Sequence, residues 1–319
     1  MSTRRGTGSS VVRSTPVLQA LAALVLIAVI ALLLAGCGGS DEERSEGIDI
    51  VTTTVYLADI TQSITGGRLT VGSLIPTGVD PHAFEPTPSV SKMIADSRAV
   101  ILDISGLSPL LDGFITSSVR SGRLIVEAAH GLPGRATGHG DTGQAGPVDP
   151  HFWLDPVNVL TYVTNIRDAL IKIDPEGAAI YTANATAYTD KLRELDAWIK
   201  EQVERIPEAR RLLVTNHESF GYFADRYGFT VVGTVFEGLS AESAPSAQQV
   251  ATLINEIRTT GAPAIFLETG SNADLAKQVA AETGVKVVTD LHTHDLGKEA
   301  PTYIDMMRWN VDRIVDALR

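Results

Sequence analysis

Apolar positions along the chain fall into two kinds of run, and their spacing predicts the elements. Short, largely β-branched runs occur at residues 48–56, 69–74, 99–104 and 124–127, and again at 212–215, 230–235, 264–267 and 285–288. Several are apolar throughout rather than alternating, as expected for strands buried on both faces of a parallel sheet. Between the last two runs, Asn272 offers a helix cap, Leu275 and Val279 an apolar stripe, and Gly284 a stop. Between the two sets of runs lies a longer pattern. Tyr181, Ala185, Tyr188, Leu192, Leu195, Ile199 and Val203 recur every three or four residues, with Pro175 in the first turn and Pro207 at the end. A helix of about 30 residues would reach about 45 Å, enough to run along two lobes as a strut. The expected fold is α/β: two (βα) lobes with parallel sheets, residues 48–172 and 208–319, joined by one long connecting helix at 173–207.

The first residues follow another pattern. Arg4, Arg5 and Arg13 precede an uncharged apolar run from Ala20 to Ala35, which leads through Gly36 into Cys37 and then Gly38, Gly39 and Ser40. A basic start, an apolar run and a small-residue exit are the parts of an export signal. The run is a little short for a spanning helix, which needs roughly 20 apolar residues. The cysteine directly after it gives the form of a bacterial lipoprotein signal, residues 1–36, with Cys37 as the lipid attachment site. An uncleaved anchor is the alternative; both put the rest of the chain outside the cytoplasm, tied to the membrane. Residues 37–47 are small and charged and read as a flexible tether.

Composition narrows the function. At 319 residues and 44% hydrophobic the chain can bury a large core, and Cys37 is its single cysteine, so no internal disulfide or thiolate site is available. Loss of residues 1–36 removes three arginines and no acid, which moves the net charge from −12 to −15. Such a surface repels phosphate backbones, so no nucleic acid is expected as a partner. A monomer is expected.

The chemistry concentrates in histidine, of which the chain has 7. His82 sits in GVDPHAFEPTPS, His151 in PVDPHFWLD and His217 in RLLVTNHESF; His292 and His294 follow the last strand-like run. Each falls in a loop after a predicted strand, two or more per lobe, and ligands of open parallel sheets sit beyond the carboxyl ends of strands. Pro81 and Pro150 fix the backbone just ahead of His82 and His151, which limits the entropy lost on holding a ligand. A lone loop histidine is more often a surface residue; His130 and His139, with no framing pattern, are read that way. Imidazole suits zinc among common ions, whereas manganese is better served by oxygen.

GVDPHAFEPTPS, DPHFWLDP, TNHESFGYFADRYGF and the ending LHTHDLGKEAPTYIDMMRWNVDRIVDAL resemble the successive segments of the cluster A-I substrate-binding proteins, the zinc- and manganese-capturing lipoproteins of ABC importers. The resemblance runs from about Ile48 to Leu318. It implies two lobes with one buried Zn2+ (alternatively Mn2+) between them, delivery to a membrane permease, and His82, His151 and His217 as ligands. The sequence departs from that family twice. The stretch GRATGHGDTGQAG holds one histidine where zinc-specific members carry many, and His294-Asp295 stands where an aspartate ligand is common. An ungapped alignment puts His294 at the ligand position, with Asp295 as the competing candidate and His292 on the same side as His294 by alternation. No HExxH or GxSxG spacing occurs. An enzyme is not expected; an exported zinc hydrolase with Glu85, Glu218 or Glu268 as base, and a metal-containing adhesin, are the alternatives.

Overall fold

The structure, a computed structural model, describes residues 47–104, 106–119, 122–137, 148–236 and 245–319. Cys37, the leader and His139 lie outside them. All eight predicted strands form: β1 Ile50–Thr52, β2 Val71–Ser73, β3 Ala99–Leu102 and β4 Leu124–Glu127, then β5 Leu212–Thr215, β6 Thr230–Thr234, β7 Ala264–Glu268 and β8 Lys286–Leu291. They make two four-stranded sheets of order β2-β1-β3-β4 and β6-β5-β7-β8. Every pairing is parallel, with Ile50 opposite both Val71 and Ala99 in the first sheet and Val214 opposite Ile265 in the second. The central strands β1 and β3 are buried throughout, β3 being apolar at every position, whereas the edge strands β2 and β4 are only partly covered.

Nine α-helices are present among the described residues: α1 Val55–Thr65, α2 Pro88–Asp96, α3 Pro109–Ser118, α4 Pro156–Ile173, α5 Ala178–Glu204, α6 Gly221–Tyr227, α7 Ala247–Thr260, α8 Asp274–Thr283 and α9 Tyr303–Leu318. Strand side chains alternate between two layers. Outward, Val51, Val100 and Leu102 pack with Ile94 of α2 and Leu111 and Ile115 of α3, and Val214 and Ile265 pack with Leu253 and Ile257 of α7 and Val279 of α8. Inward, Ile50 and Ile101 from one sheet and Leu213 and Phe266 from the other join a single cluster with α1, α4, α5 and α9. The two sheets therefore share one continuous inner core, and Gly47–Arg319 forms one compact unit.

The long helix α5 has 27 residues, about 40 Å at the usual rise. All seven residues of the expected stripe are buried. Pro175 lies in a separate 3-10 turn, Pro175–Gly177, rather than in α5 itself. Gly177 leaves room for the Tyr181 ring, which a Cβ there would meet at 2.5 Å. The stripe also hides a charge: Asp196 takes both Nε and Nη2 of Arg226 at 2.8 Å, tying α5 to α6. Its burial works against ionisation, yet the bonds from Arg226, Lys200 and Tyr227 hold its carboxyl down at about 2.

Several boundaries differ from the sequence pattern, and two bear on the site. The run 48–56 ends as a strand at Thr52, because Val55 and Tyr56 begin α1. Three threonines of high strand propensity blur that junction. The last strand runs on to Leu291 rather than 288, since a register shift after Phe266 lets Glu268 pair with Leu291. That extension delivers His292, Thr293 and His294 to the end of the sheet. Leu195 is fully buried at the centre of the shared core. We expect Leu195→Ala to cost about 2–5 kcal/mol of stability by denaturant titration, while Ile180→Ala on the same helix, at a position 44% exposed, costs well under 1 kcal/mol.

Candidate metal centre

The two DPH segments solve one local problem the same way. Asp80 accepts the amide of His82 at 2.8 Å, and Asp149 accepts the amide of His151 at 3.0 Å. In each, a proline between acid and histidine fixes the turn. His82 lies in a 3-10 turn, Pro81–Ala83, beyond β2, and His151 directly precedes another, Phe152–Leu154, ahead of α4. Asp155 then caps α4 by accepting the amide of Val157 at 2.8 Å. His217 sits two residues past β5, its carbonyl taking the Thr215 hydroxyl at 2.8 Å. His294 lies three residues past β8.

These four histidines converge: one ring nitrogen from each lies within 4.8 Å of all the others. His151 is central, its Nε2 lying 3.2 Å from those of His82 and His217 and 3.4 Å from that of His294. A tetrahedron with metal–nitrogen bonds of about 2.0–2.1 Å has edges of about 3.3–3.4 Å; the three separations from His151 match such edges, while other pairs in the group are up to 4.8 Å apart. His151, His217 and His294 are buried, and His82 is half-buried.

The far ring nitrogens face oxygen. Asp149 Oδ1 is 2.8 Å from His151 Nδ1, which turns the Nε2 lone pair toward the other rings. Glu268 serves two rings: one oxygen is 2.8 Å from His217 Nδ1, without hydrogen-bond alignment, and the other 3.5 Å from His294 Nδ1. Thr293 Oγ1 lies 3.0 Å from that same His294 nitrogen. Electrostatics follow from crowding. Burial, then the neighbouring His294 and His217, pulls His82 down to about 2. Burial and the other three rings likewise hold His151 well below its ordinary value. At His217 burial also disfavours charge, but the Glu268 carboxylate outweighs it and the net shift is upward. Glu268 in turn is held well below the usual carboxylate range by His217, against the effect of its own burial. Burial raises Asp149 to about 6 despite its bond from the His151 amide and the nearby Arg135.

Of the candidate residues, then, the structure brings together His82, His151, His217 and His294. It does not bring Asp295 to them. That carboxylate accepts the amides of Gly78 at 2.9 Å and Leu296 at 2.7 Å, because the chain turns after His294 and points it across to the neighbouring loop. His292 also faces elsewhere, 3.1 Å from Glu299, with its amide on Asn310. The chain bends at Thr293 and His294, so the alternation of an extended strand fails there. His130 is exposed, as expected. Glu85 is exposed, and Glu218 lines a separate small cavity with Arg135 and Asp149.

Two supporting residues escaped the sequence pattern. Trp153 stacks on Tyr56 at 4.7 Å, lies 5.2 Å from the His151 ring and donates to the Thr293 carbonyl at 2.6 Å. Asp103, fully buried beyond β3, accepts from Thr53 at 2.7 Å, Thr54 at 3.2 Å and Tyr56 at 2.7 Å. Burial lifts it to about 6, those bonds opposing. The available signal was an acid directly after an apolar run; Glu268 carries the same signal as the last residue of β7.

The description "zinc-uptake complex component A periplasmic" (ZnuA) matches residues 50–317. The chain is 37% identical over 301 residues to the manganese-binding lipoprotein MntA of Halalkalibacterium halodurans, covering 92% of this chain and 97% of that one. It is 29% identical over 310 residues to the manganese ABC transporter substrate-binding lipoprotein PsaA of Streptococcus pneumoniae, covering 93% and 97%. Among solved structures, the Mn-bound periplasmic metal binding protein of Candidatus Liberibacter asiaticus superposes with a TM-score of 0.75 at 27% identity, covering 85% and 99%. The periplasmic zinc binding protein TroA of Treponema pallidum does so with a TM-score of 0.76 at 27% identity, covering 84% and 98%. Two four-stranded parallel sheets, a long helix beside them and a match spanning nearly all the described residues agree, and the chain belongs to the ZnuA family of periplasmic metal-uptake proteins.

Proposed function

We propose that this protein captures a divalent transition metal outside the cytoplasm and delivers it to the permease of an ABC importer, with zinc as the favoured cargo. The observation that carries the reading is the convergence of four imidazole nitrogens, two of whose rings are held neutral at any physiological pH. A neutral ring keeps its lone pair free for a cation without first losing a proton. His82, His151, His217 and His294 are the proposed ligands. Asp149 and Glu268 orient their rings and offset the incoming charge. Similarity to binding components named for transport supports the delivery step over hydrolysis.

Manganese is the second reading, and the relatives' names favour it. The donor set favours zinc, because four nitrogens and no oxygen suit a tetrahedral d10 ion, whereas manganese prefers more oxygen and a higher coordination number. We expect zinc to bind at least about tenfold more tightly than manganese in a competition titration; equal or tighter manganese binding would reverse the assignment. In the same assay His294→Ala should weaken zinc more than about 100-fold and Asp295→Ala less than about tenfold, since the first loses a metal bond and the second does not. A larger loss from Asp295→Ala would make the carboxylate the fourth ligand.

Protons should compete through one end of the site. His82 and His151 are already neutral, so they add little between pH 5 and 8. His217 is raised above its ordinary 6.5, so the charged, non-binding form accumulates as pH falls through a value above 6.5. Zinc affinity should therefore begin to fall near neutral pH, by about tenfold per unit for a single proton, in calorimetry from pH 8 to 5.5. A flat profile would mean that histidines are not the principal ligands.

Membrane attachment belongs to the same proposal. Among the described residues no helix is long and apolar enough to cross a membrane. Acylation of Cys37 would supply the anchor, with the protein acting as a monomer. Cys37→Ser should release the chain from the membrane fraction with zinc binding intact; firm retention would point to an uncleaved leader helix.

A further inference from the structure

A cavity of ≈ 240 Å³ lies between residues 78–80, just ahead of His82, and the loops that follow β5, β7 and β8. Its rim is exposed at Gly78, Val79 and Gly270, and its floor is formed by Asn216, Glu268 and His294. It thus connects solvent with one ring of the imidazole group. Across the rim runs a direct bond between loops of the two sheets, from the Gly78 amide to Asp295 Oδ2 at 2.9 Å.

The floor holds an anomaly. Asn216 is 2% exposed; its amide nitrogen donates to Ser271 Oγ at 3.3 Å, but its Oδ1 has no partner. Glu268 Oε1, also on the floor, faces His217 Nδ1 at 2.8 Å. Buried polar atoms are nearly always paired, and an orphan is a cost the fold bears for some other reason. Asn216 Oδ1 is such an orphan, an oxygen acceptor lining the cavity that reaches His294.

A metal ion arriving from water is wrapped in oxygen and must exchange that shell for four nitrogens inside a low-dielectric pocket. Losing water with no substitute is steeply unfavourable for a dication. Fixed oxygens along the path replace waters in turn and lower that barrier. Wide opening of the protein is a poor alternative route, because the two sheets share one inner core. We propose that this cavity is the passage by which metal reaches and leaves the four histidines, that Asn216 Oδ1 is an oxygen waypoint on it, and that the Asp295–Gly78 bond bars its mouth.

The proposal rests on the metal-capture reading above, and a kinetic experiment separates the two. Zinc association and dissociation are followed by stopped flow against a fluorescent chelator, with the full chain in detergent, alongside equilibrium affinity and near-ultraviolet circular dichroism. Asn216→Leu keeps the size and removes the oxygen. It should slow both rates about tenfold and leave Kd within about twofold, since a waypoint changes the barrier and not the end states. Asn216→Asp restores an oxygen and should associate at the parental rate or faster, which guards against a Leu variant that misfolds. Asp295→Ala should speed both rates together. Parental rates in both Asn216→Leu and Asp295→Ala would overturn the passage. So would an Asn216→Asp variant as slow as Asn216→Leu, or a Kd that follows one rate alone, which would make Asn216 part of the resting site. A parent chain that binds no zinc would instead overturn the capture reading itself.

Discussion

Everything at the proposed centre depends on keeping several imidazoles close together in a buried space. A protonated ring beside another at 3.2 Å, out of water, is repelled by its neighbour and poorly solvated. The four-histidine arrangement is therefore stable only if most of its rings stay neutral, and burial with mutual repulsion enforces this at His82 and His151. The same forces leave lone pairs crowded toward one point. A cation placed there relieves the crowding. Glu268 supplies the counterweight, since a buried carboxylate near His217 and His294 makes that end of the site tolerant of positive charge, whether it comes as a proton or as a metal.

Such proximity is affordable only on a rigid frame. Each histidine sits within a few residues of a strand end or helix start, so its position is set by elements packed into the common core. Trp153 links the two halves most directly: its ring lies against His151 and Tyr56, and its nitrogen holds the carbonyl of Thr293, next to His294. Tyr303 at the start of α9 donates to the Trp153 carbonyl at 2.6 Å, so the last helix braces the same point. Packing fixes where the rings are, and the carboxylates fix which nitrogen faces inward.

Much of this was legible in the sequence because periodicity and turn chemistry are local. The α5 stripe, the eight strand runs and the paired DPH frames each depend on residues near one another in the chain. The strand at β8 was read short because its last three residues are held by a pairing that follows a register shift in β7, a partner distant in sequence. For the same reason alternation put His292 on the side of His294 and left Asp295 competing with His294. Alternation assumes an extended chain, and the bend at Thr293 is set by tertiary contacts from Trp153 and Asn310. Asp295 was undecided, Asp103 was missed and Glu268 was named only as a possible base, because a carboxylate's role depends on what it meets, and Gly78, Tyr56 and His217 lie tens to hundreds of residues away.

The metal preference turns on that last point. His82, His151 and His217 alone would leave a site open to either ion, with the fourth position deciding. An aspartate there adds oxygen and charge, and with them a reason to accept a larger, harder cation. In this chain His294 is the residue grouped with the other three histidines, while the adjacent aspartate accepts the Gly78 amide at the mouth of the cavity. One carboxylate thus lies outside the imidazole group, at a place where it affects access. Relatives named for manganese and for zinc share this fold, so the fold does not choose between them. In the proposed site the choice would rest on which of two neighbouring side chains the bend after β8 turns inward, and the side chain turned toward the other imidazoles is His294.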